Sequence, residues 1–256
     1  MIKPYTWTLL LLVFITFCGY QAIHYTVPEL VSTWSGLVLL FGLAVPCAWS
    51  VMHSEGVQRG GLILLLLVTF AVIIEAIALT TGYPYGAFAY EQSATHILIA
   101  GVPILVPLSW VPLLLGSFSV SQHVKTIGYQ YLLMITTLLT ADLVIDPGAV
   151  ALGQWGYVAD GWWYHIPISN FLGWMVTGTI GFIIMKVTIR HKLPILQAQI
   201  SMLGQVAFFT GVAIASTLTG AWFVGMLFMT TLFILQSYDR SRKKIHAQPR
   251  TTTAAT

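Results

Sequence analysis

The sequence predicts an all-α membrane protein, a polytopic bundle of about eight transmembrane helices with both termini in the cytoplasm. Apolar residues make up 57% of its 256 residues and charged residues only 7%, against about 25% charged residues in soluble domains. Apolar runs recur along the chain, each near the roughly 20 residues that cross the hydrocarbon core, whereas membrane strands would alternate over about ten residues. The net charge is only +3, and the basic residues lie at helix ends, so no nucleic-acid partner is expected.

Eight helices are predicted along the chain. They cover Thr6–Ile23, Trp34–Met52, Leu62–Thr80, Ile97–Phe118, Gly128–Ile145, Ile168–Ile189, Gln199–Ser216 and Gly220–Ser237. The first is interpreted as a retained helix, because no small-residue cleavage site of a secretory signal follows it. The last two come from one apolar run that is too long for a single helix and long enough for two, with the break at Thr217–Gly220.

The basic residues decide between eight helices and seven, because positive charge accumulates in cytoplasmic loops. With eight spans and a cytoplasmic N-terminus, all 11 basic residues lie in the cytoplasm, whereas seven spans would leave those of the C-terminal tail outside. They are Lys3, Arg59, Lys125, Lys186, Arg190, Lys192, Arg240, Arg242, Lys243, Lys244 and Arg250. The predicted outer loops carry only the acids Glu29, Glu91 and Asp160. We expect one transmembrane domain over residues 1–238 and a basic, disordered cytoplasmic tail over residues 239–256.

Two stretches differ from generic membrane sequence. Residues 75–110 leave the third helix, make a turn rich in glycine, proline and aromatic residues, and re-enter as the fourth helix, which contains Pro103, Pro107 and Pro112. Because proline frees a helix carbonyl, we expect these breaks to lie against other helices or a cavity, with an ordinary packed kink as the alternative. In residues 142–174 the fifth helix is predicted to end at Asp146, since a proline follows it.

The loop after the fifth helix is rich in large aromatic residues. They are Trp155, Tyr157, Trp162, Trp163 and Tyr164. Aromatic residues commonly form a belt at the level of the lipid headgroups, and this interpretation suits Trp162 and Trp163. It explains Trp155, and Trp174 in the following helix, less well.

Three acids inside the predicted helices are the main indication of function, because ionisable residues within spans are costly and commonly functional. At 1.5 Å per residue, Glu75 and Asp142 lie roughly 20 Å from the cytoplasmic ends of their helices. Asp146 follows Asp142 by four residues and shares its helix face. No lysine or arginine lies at that depth, and a neutral acid beside an ionised one suits general acid–base catalysis. The structural alternative is hydrogen bonding to freed carbonyls, Thr80 or Asn170.

Missing motifs narrow the chemistry further. The seven histidines are scattered, which excludes the histidine clusters of membrane di-iron hydroxylases and desaturases. No dinucleotide fingerprint or P-loop is present, and no mid-helix lysine is available for a retinal Schiff base. The spacing of Asp142 and Asp146 matches one half of a prenyltransferase site, but no second acidic cluster or basic group for a diphosphate accompanies it. The sequence thus favours acid–base chemistry on an apolar substrate without metal or cofactor, or no chemistry.

A set of residues spread over both unusual stretches forms an ordered pattern. It comprises Glu75, Thr81–Gly86 with Tyr90, Gly101–Trp110, Asp142–Pro147, Trp155 and Ile166–Trp174. In order and spacing it resembles the integral-membrane carotenoid 1,2-hydratases, a group that includes γ-carotene 1′-hydratase and the bisanhydrobacterioruberin hydratases. The resemblance covers residues 70–180, and the flanking helices only by hydropathy. It implies a lipophilic carotenoid substrate and addition of water across the terminal C1–C2 double bond of an acyclic end.

Such a substrate indicates roles for the candidate residues. Protonation of C2 produces a tertiary cation at C1, water adds there, and a base removes its proton. We expect Glu75 or Asp142 as the acid, Asp146 with its neighbour as the base, and Asn170 as a holder of the water, with the roles interchangeable among the acids. The end group is expected to lie among aromatic faces, supplied by Tyr85, Tyr90, Trp110, Trp155 and Trp174.

Two other functions stay open on the sequence. A carotenoid cyclase or prenyltransferase would use a similar carbocation in a cavity that excludes water. A non-catalytic transporter would show an open path and repeat symmetry, and a carotenoid-binding subunit would show scattered acids. In every case we expect an integral protein of a bacterial or archaeal cell membrane, in contact with membrane lipids.

Overall fold

The computed structural model describes residues 4–25, 29–91 and 97–247, with side chains for all of these except 4–5, 29–33 and 238–247. The described chain contains eight helices: α1 (Pro4–His24), α2 (Glu29–Glu55), α3 (Val57–Thr81), α4 (Leu105–Ser121), α5 (Ile127–Ala151), α6 (Ile168–Thr188), α7 (Ile195–Ala215) and α8 (Thr219–Ala247). Its strands are β1 (Phe88–Tyr90), β2 (Leu98–Ile99), β3 (Val102–Pro103) and β4 (Trp155–Tyr157). Strand β1 pairs antiparallel with β4, and β2 with β3. The predicted all-α bundle is confirmed.

Helix α7 forms the centre of the bundle. It packs against α1, α2, α4, α5 and α8, and most of its side chains are buried. Glycines permit the closest of these approaches: a Cβ at Gly211 would lie 1.9 Å from the carbonyl oxygen of Thr16, and one at Gly19 would lie 1.9 Å from that of Phe208. Small residues that bring two backbones together are the usual means of packing helices in lipid, where burial of apolar side chains provides little driving force.

Polar contacts around Glu55 join two connections at one end of the bundle. The Glu55 carboxylate accepts hydrogen bonds from Arg59 Nε (3.1 Å) and from the backbone N–H groups of Arg190 (2.8 Å) and His191 (2.7 Å). The α2–α3 and α6–α7 connections therefore lie side by side, as alternate crossings of the bundle require.

The other connections described by hydrogen bonds also lie at alternate ends of the bundle. Gln122, which follows α4, accepts a hydrogen bond from the Leu193 N–H at 3.0 Å and so joins the end that carries Glu55. At the opposite end, the Tyr164 hydroxyl accepts a hydrogen bond from the Gly220 N–H at 2.6 Å, which ties the α5–α6 loop to the α7–α8 turn. Seven of the described helices are long and apolar enough to cross a membrane, and α4 is a shorter apolar helix.

The orientation of this bundle in the membrane stays a prediction. Arg59, Lys186 and Lys192 all lie at or beside the end that carries Glu55, so the positive-inside rule places that end in the cytoplasm. We expect a reporter fused after Thr256 to be active only in the cytoplasm, and the same reporter inserted after Glu91 to be active only outside. The reverse pattern would contradict the orientation.

The predicted start of the fourth helix at Ile97 is wrong. Residues 98–103 form the β2–β3 hairpin, closed by a hydrogen bond from the Ile104 N–H to the Ile97 carbonyl at 2.9 Å. Ala100 and Gly101 take left-handed φ angles of 52° and 80°, which no α-helix accommodates. Pro103 therefore lies in a strand, and only Pro107 and Pro112 lie in α4.

The predicted end of the fifth helix at Asp146 is also wrong, because α5 continues through Pro147 to Ala151. A proline inside a helix leaves the carbonyl four residues earlier without its partner. Here that carbonyl belongs to Leu143, and it accepts a hydrogen bond from Trp163 Nε1 at 3.0 Å. The Trp163 side chain thus supplies the hydrogen bond that Pro147 cannot provide, and it allows α5 to continue past the proline. This is a structural role that a position in the lipid headgroup belt would not explain.

The last helix extends beyond the predicted span. Helix α8 begins at Thr219, one residue from the predicted start, and runs to Ala247. It therefore includes residues 239–247, which we predicted as part of a disordered tail. Residues 248–256 of that tail lie outside the described part of the chain.

Candidate active site

A cavity of about 150 Å³ lies among α2 to α7, at the end of the bundle where β1 pairs with β4. Eight of the nine residues proposed from the sequence line it. They are Glu75, Tyr85, Tyr90, Trp110, Asp146, Trp155, Asn170 and Trp174. The ninth, Asp142, lies behind Asp146. Helices distant in sequence thus bring the candidate residues to one place.

Glu75 occupies one wall of the cavity, near the end of α3. Its side chain is buried, and both carboxyl oxygens accept hydrogen bonds: Oε1 from Trp110 Nε1 at 2.8 Å and Oε2 from the Tyr90 hydroxyl at 2.9 Å. An indole N–H can only donate. Burial, and then the charge of Glu75, raise the pKa of Tyr90 well above its ordinary value, so the phenol keeps its proton. Two donors aimed at one carboxyl group stabilise its ionised form.

Asp146 occupies another wall, in the last two turns of α5. Its Oδ2 accepts hydrogen bonds from the Tyr157 hydroxyl at 2.8 Å and from Asn170 Nδ2. Burial, followed by the charge of Asp146, raises the pKa of Tyr157 well above its ordinary value. The Tyr157 hydroxyl also lies 3.0 Å from Asn170 Oδ1, and its single proton can serve either oxygen. Asp146, Tyr157 and Asn170 therefore form one hydrogen-bonded group that faces the cavity.

Asp142 belongs to the same group but does not reach the cavity surface. It is fully buried, and its Oδ2 accepts a hydrogen bond from Asn170 Nδ2 at 3.3 Å. Its Oδ1 is buried with no hydrogen-bond partner among the described residues. Because Asn170 Nδ2 donates to both, the carboxyl groups of Asp142 and Asp146 lie close together, and two adjacent buried carboxyl groups tend to share a proton. The four-residue spacing thus places both acids together, but only Asp146 faces the cavity.

The paired strands β1 and β4 form an aromatic lid over the acids. In their register Phe88 lies opposite Tyr157, and Tyr90 lies opposite Trp155. Alternate residues of a strand point to the same face, so one face of this two-stranded sheet carries four aromatic rings, all of which line the cavity. Tyr90 and Tyr157 each send a hydroxyl to one of the two cavity acids, so the lid also positions Glu75 and Asp146.

A second aromatic group closes the cavity from the helices. The ring centroids of Trp110 and Trp174 are 4.4 Å apart, and those of Tyr85 and Trp110 are 6.2 Å apart. Gly173 makes room for this group, because a Cβ there would lie 2.4 Å from Cδ1 of Tyr85. The Tyr85 hydroxyl is held by Thr177 at 2.9 Å. Such faces attract a cation within about 6 Å of the ring centre.

Sequence reasoning missed several polar residues of the cavity. Tyr157 belongs to the aromatic loop but is not among the predicted site residues, although the alternation of aromatic and small residues in 155–157 indicates a strand with two rings on one face. Gln205, in α7, exchanges hydrogen bonds with Ser109 in α4. An amide in the middle of an apolar helix was the available signal for it. Gln154 completes the polar lining.

The arrangement offers general acid–base chemistry in a mostly apolar cavity. Glu75 is held by two donors, Asp146 lies beside the buried carboxyl group of Asp142, and both Glu75 and Asp146 face the same cavity. Among the described residues, no group of three or more His, Cys, Asp or Glu side chains is placed to hold a metal ion. Aromatic rings and three amide side chains, those of Gln154, Asn170 and Gln205, make up much of the remaining surface.

Comparisons with known proteins identify the family of the chain. The family model described as "Carotenoid biosynthesis protein" matches residues 34–232. A bisanhydrobacterioruberin hydratase from Haloarcula japonica is 31% identical over 132 residues, which make up 50% of this chain and 45% of that relative. The matched part therefore spans about half the length of each protein. No solved structure matches the chain. The chain belongs to the carotenoid biosynthesis protein family.

Proposed function

We propose that this protein adds water across the terminal C1–C2 double bond of an acyclic (ψ) carotenoid end group. The observation that carries the proposal is the convergence of Glu75 and Asp146 on one aromatic-lined cavity. Membership of a carotenoid biosynthesis family supports a polyene substrate, and the name of the similar haloarchaeal protein supports a hydratase.

In the first step, Asp146 donates its proton to C2 of the end group. The π electrons of the C1–C2 bond form the new C–H bond, which leaves a tertiary cation at C1. Asp146 is the donor because it faces the cavity and shares a proton with Asp142, whereas both oxygens of Glu75 already accept hydrogen bonds. The rings of Trp110 and Trp174 stabilise the cation through their negative faces.

In the second step, water attacks C1 and Glu75 takes one of its protons. A lone pair of the water oxygen forms the C–O bond, and the product is a tertiary alcohol. The proton gained by Glu75 returns to Asp146 through solvent in the cavity, so acid and base are restored. These roles exchange those expected from the sequence, because the hydrogen bonds from Trp110 and Tyr90 suit a carboxylate base at Glu75.

A polar lining favours hydration over the alternative of cyclisation. A buried water needs about three polar partners, and Asn170, Gln154 and the Ser109–Gln205 pair supply donors and acceptors on the cavity wall. A cyclase protects the same cation from water and has no use for these groups. Prenyl transfer would need basic groups for a diphosphate, which the cavity lining lacks among the described residues.

We further propose that the reaction uses only the protein's own side chains and needs neither metal nor cofactor. The substrate lies in the bilayer, among membrane lipids, and the protein works in the cell membrane of a bacterium or an archaeon. The long apolar helices support this placement, since a lipophilic carotenoid and the protein would then both lie in the bilayer.

Expression in a host that makes lycopene tests the reaction directly. We expect pigments that gain the mass of one water per hydrated end, and in heavy-oxygen water the label should enter the new hydroxyl group. Mass spectrometry of the extracted pigments measures both. Label from molecular oxygen would indicate a hydroxylase, and a ring product without added mass would indicate a cyclase; either result contradicts the proposal. A lycopene host without the protein is the control.

A further inference from the structure

The cavity holds only the end of a carotenoid. An apolar protein cavity of about 150 Å³ takes a molecule the size of benzene, and the present cavity has about that volume. An extended carotenoid is roughly as long as the hydrocarbon core is thick, about 30 Å. If an end group reacts beside Glu75 and Asp146, the rest of the polyene must leave the cavity through its wall.

Helix α2 forms the wall between the cavity and the lipid. One stripe of α2, at helical spacing, lines the cavity: Gly36, Leu39, Leu40 and Leu43. The opposite stripe is exposed on the outside of the bundle and includes Trp34, Val38 and Phe41. The two cavity acids and Asn170 lie on α3, α5 and α6, and the Ser109–Gln205 pair joins α4 to α7. Helix α2 contributes only glycine and leucine to the cavity lining, so its wall is apolar.

Gly36 leaves a gap in this wall. A Cβ at position 36 would meet no atom within 4 Å among the described residues, although Gly36 lines the cavity. It lies two residues inside the apolar part of α2, which begins at Trp34, or about 3 Å along the helix axis. Val106 of α4 and Phe208 of α7 also line the cavity and are only partly buried.

We propose that the polyene chain of the substrate leaves the cavity beside Gly36 and continues into the bilayer. The inference rests on the proposed function for the identity of the ligand. The apolar stripe of α2 contacts the chain, and Gly36 provides the width that a leucine at this position of the stripe would close. The site thereby admits a linear end from the side while the rest of a long apolar molecule stays in lipid.

Substitution of the glycine tests the exit. The variant Gly36→Leu adds a side chain where no protein atom obstructs it, so the fold should be unaffected. We expect conversion of lycopene to fall by about tenfold or more, the usual effect of a group that does not fit an apolar pocket. Hydration of a short acyclic isoprenoid that carries the same end group should fall much less, because that molecule does not need the exit beside Gly36.

Gly42 supplies the matched control. It lies on the same helix, a Cβ there would also meet nothing within 4 Å, and it does not line the cavity. Gly42→Leu should convert both substrates at the rate of the unmodified protein. Equal losses for the long and the short substrate in Gly36→Leu, or full activity on lycopene, would overturn the exit path.

A binding measurement separates this inference from the proposed reaction. Lycopene that copurifies with the detergent-solubilised protein is quantified by its absorbance, which requires no hydration. We expect about tenfold less lycopene with Gly36→Leu than with Gly42→Leu. Absence of hydration by the unmodified protein would refute the proposed function alone, whereas equal lycopene contents in the two variants would refute the exit path alone.

Discussion

Replacement of Asp146 by asparagine should lower the rate of hydration by about two to four orders of magnitude, the usual contribution of a general acid. Asparagine keeps the size of the side chain and can still accept hydrogen bonds from Tyr157 and Asn170, but it has no acidic proton to donate. Initial rates with protein in lipid vesicles that contain lycopene measure the effect. Retention of folded protein is checked by its yield and melting temperature in detergent.

Two further substitutions serve as a control for Asp146→Asn and as a test of its neighbouring acid. Asp160→Asn removes an acid that is largely exposed in the α5–α6 loop, and it should leave the rate unchanged. Asp142→Asn should lower the rate as well, because Asp146 then loses the partner with which it shares a proton. A normal rate in Asp146→Asn would show that this carboxyl group is structural.

Replacement of Glu75 by glutamine should cause a loss of the same size, about two to four orders of magnitude, if this carboxylate removes the proton from water. Glutamine can keep the hydrogen bond from Trp110 Nε1, but its amide cannot accept a proton from the attacking water. The same assay measures the rate, and the pigments should be analysed for products that have lost a proton from carbon instead of gaining water.

Glu91→Gln is the control for this variant, since Glu91 is an exposed acid that follows β1. It should behave as the unmodified protein does. Unchanged rates in Glu75→Gln and Asp142→Asn together would mean that the acids only hold the helices, and the proposed site would then be wrong.

Most residues of the candidate site could be predicted because acidic side chains are rare in the apolar helices of a membrane protein. An acid in an apolar helix has few neighbours that can satisfy it, so Glu75, Asp142 and Asp146 stand out from composition alone. Helical rise predicts similar depths for Glu75 and Asp142, and the structure brings Glu75 and Asp146 to one cavity. The resemblance implies aromatic faces around the end group, a headgroup belt explains Trp155 and Trp174 poorly, and both line the cavity.

The predicted bounds of the fourth and fifth helices were wrong because the same residue types are compatible with more than one backbone conformation. The apolar residues 97–103 fit a helix or a strand equally well, and the turn at Ala100 and Gly101 depends on left-handed φ angles that the sequence does not specify. Pro147 is a helix breaker in isolation. Its effect was cancelled by Trp163, a residue from another segment that bonds to the freed carbonyl of Leu143.

The sequence by itself determined the class of the protein and the acids that carry the proposed chemistry, because hydropathy and charge act residue by residue along each helix. Only the tertiary structure decided which acids face the cavity. Asp142 and Asp146 share a helix face, and the packing of α5 against α6, with Asn170 between them, turns Asp146 inward and leaves Asp142 behind it. Likewise, nothing in the sequence distinguishes Gly36 from other helix glycines. Its position beside the cavity results from the packing of α2 against α4 and α7, which only the tertiary structure shows.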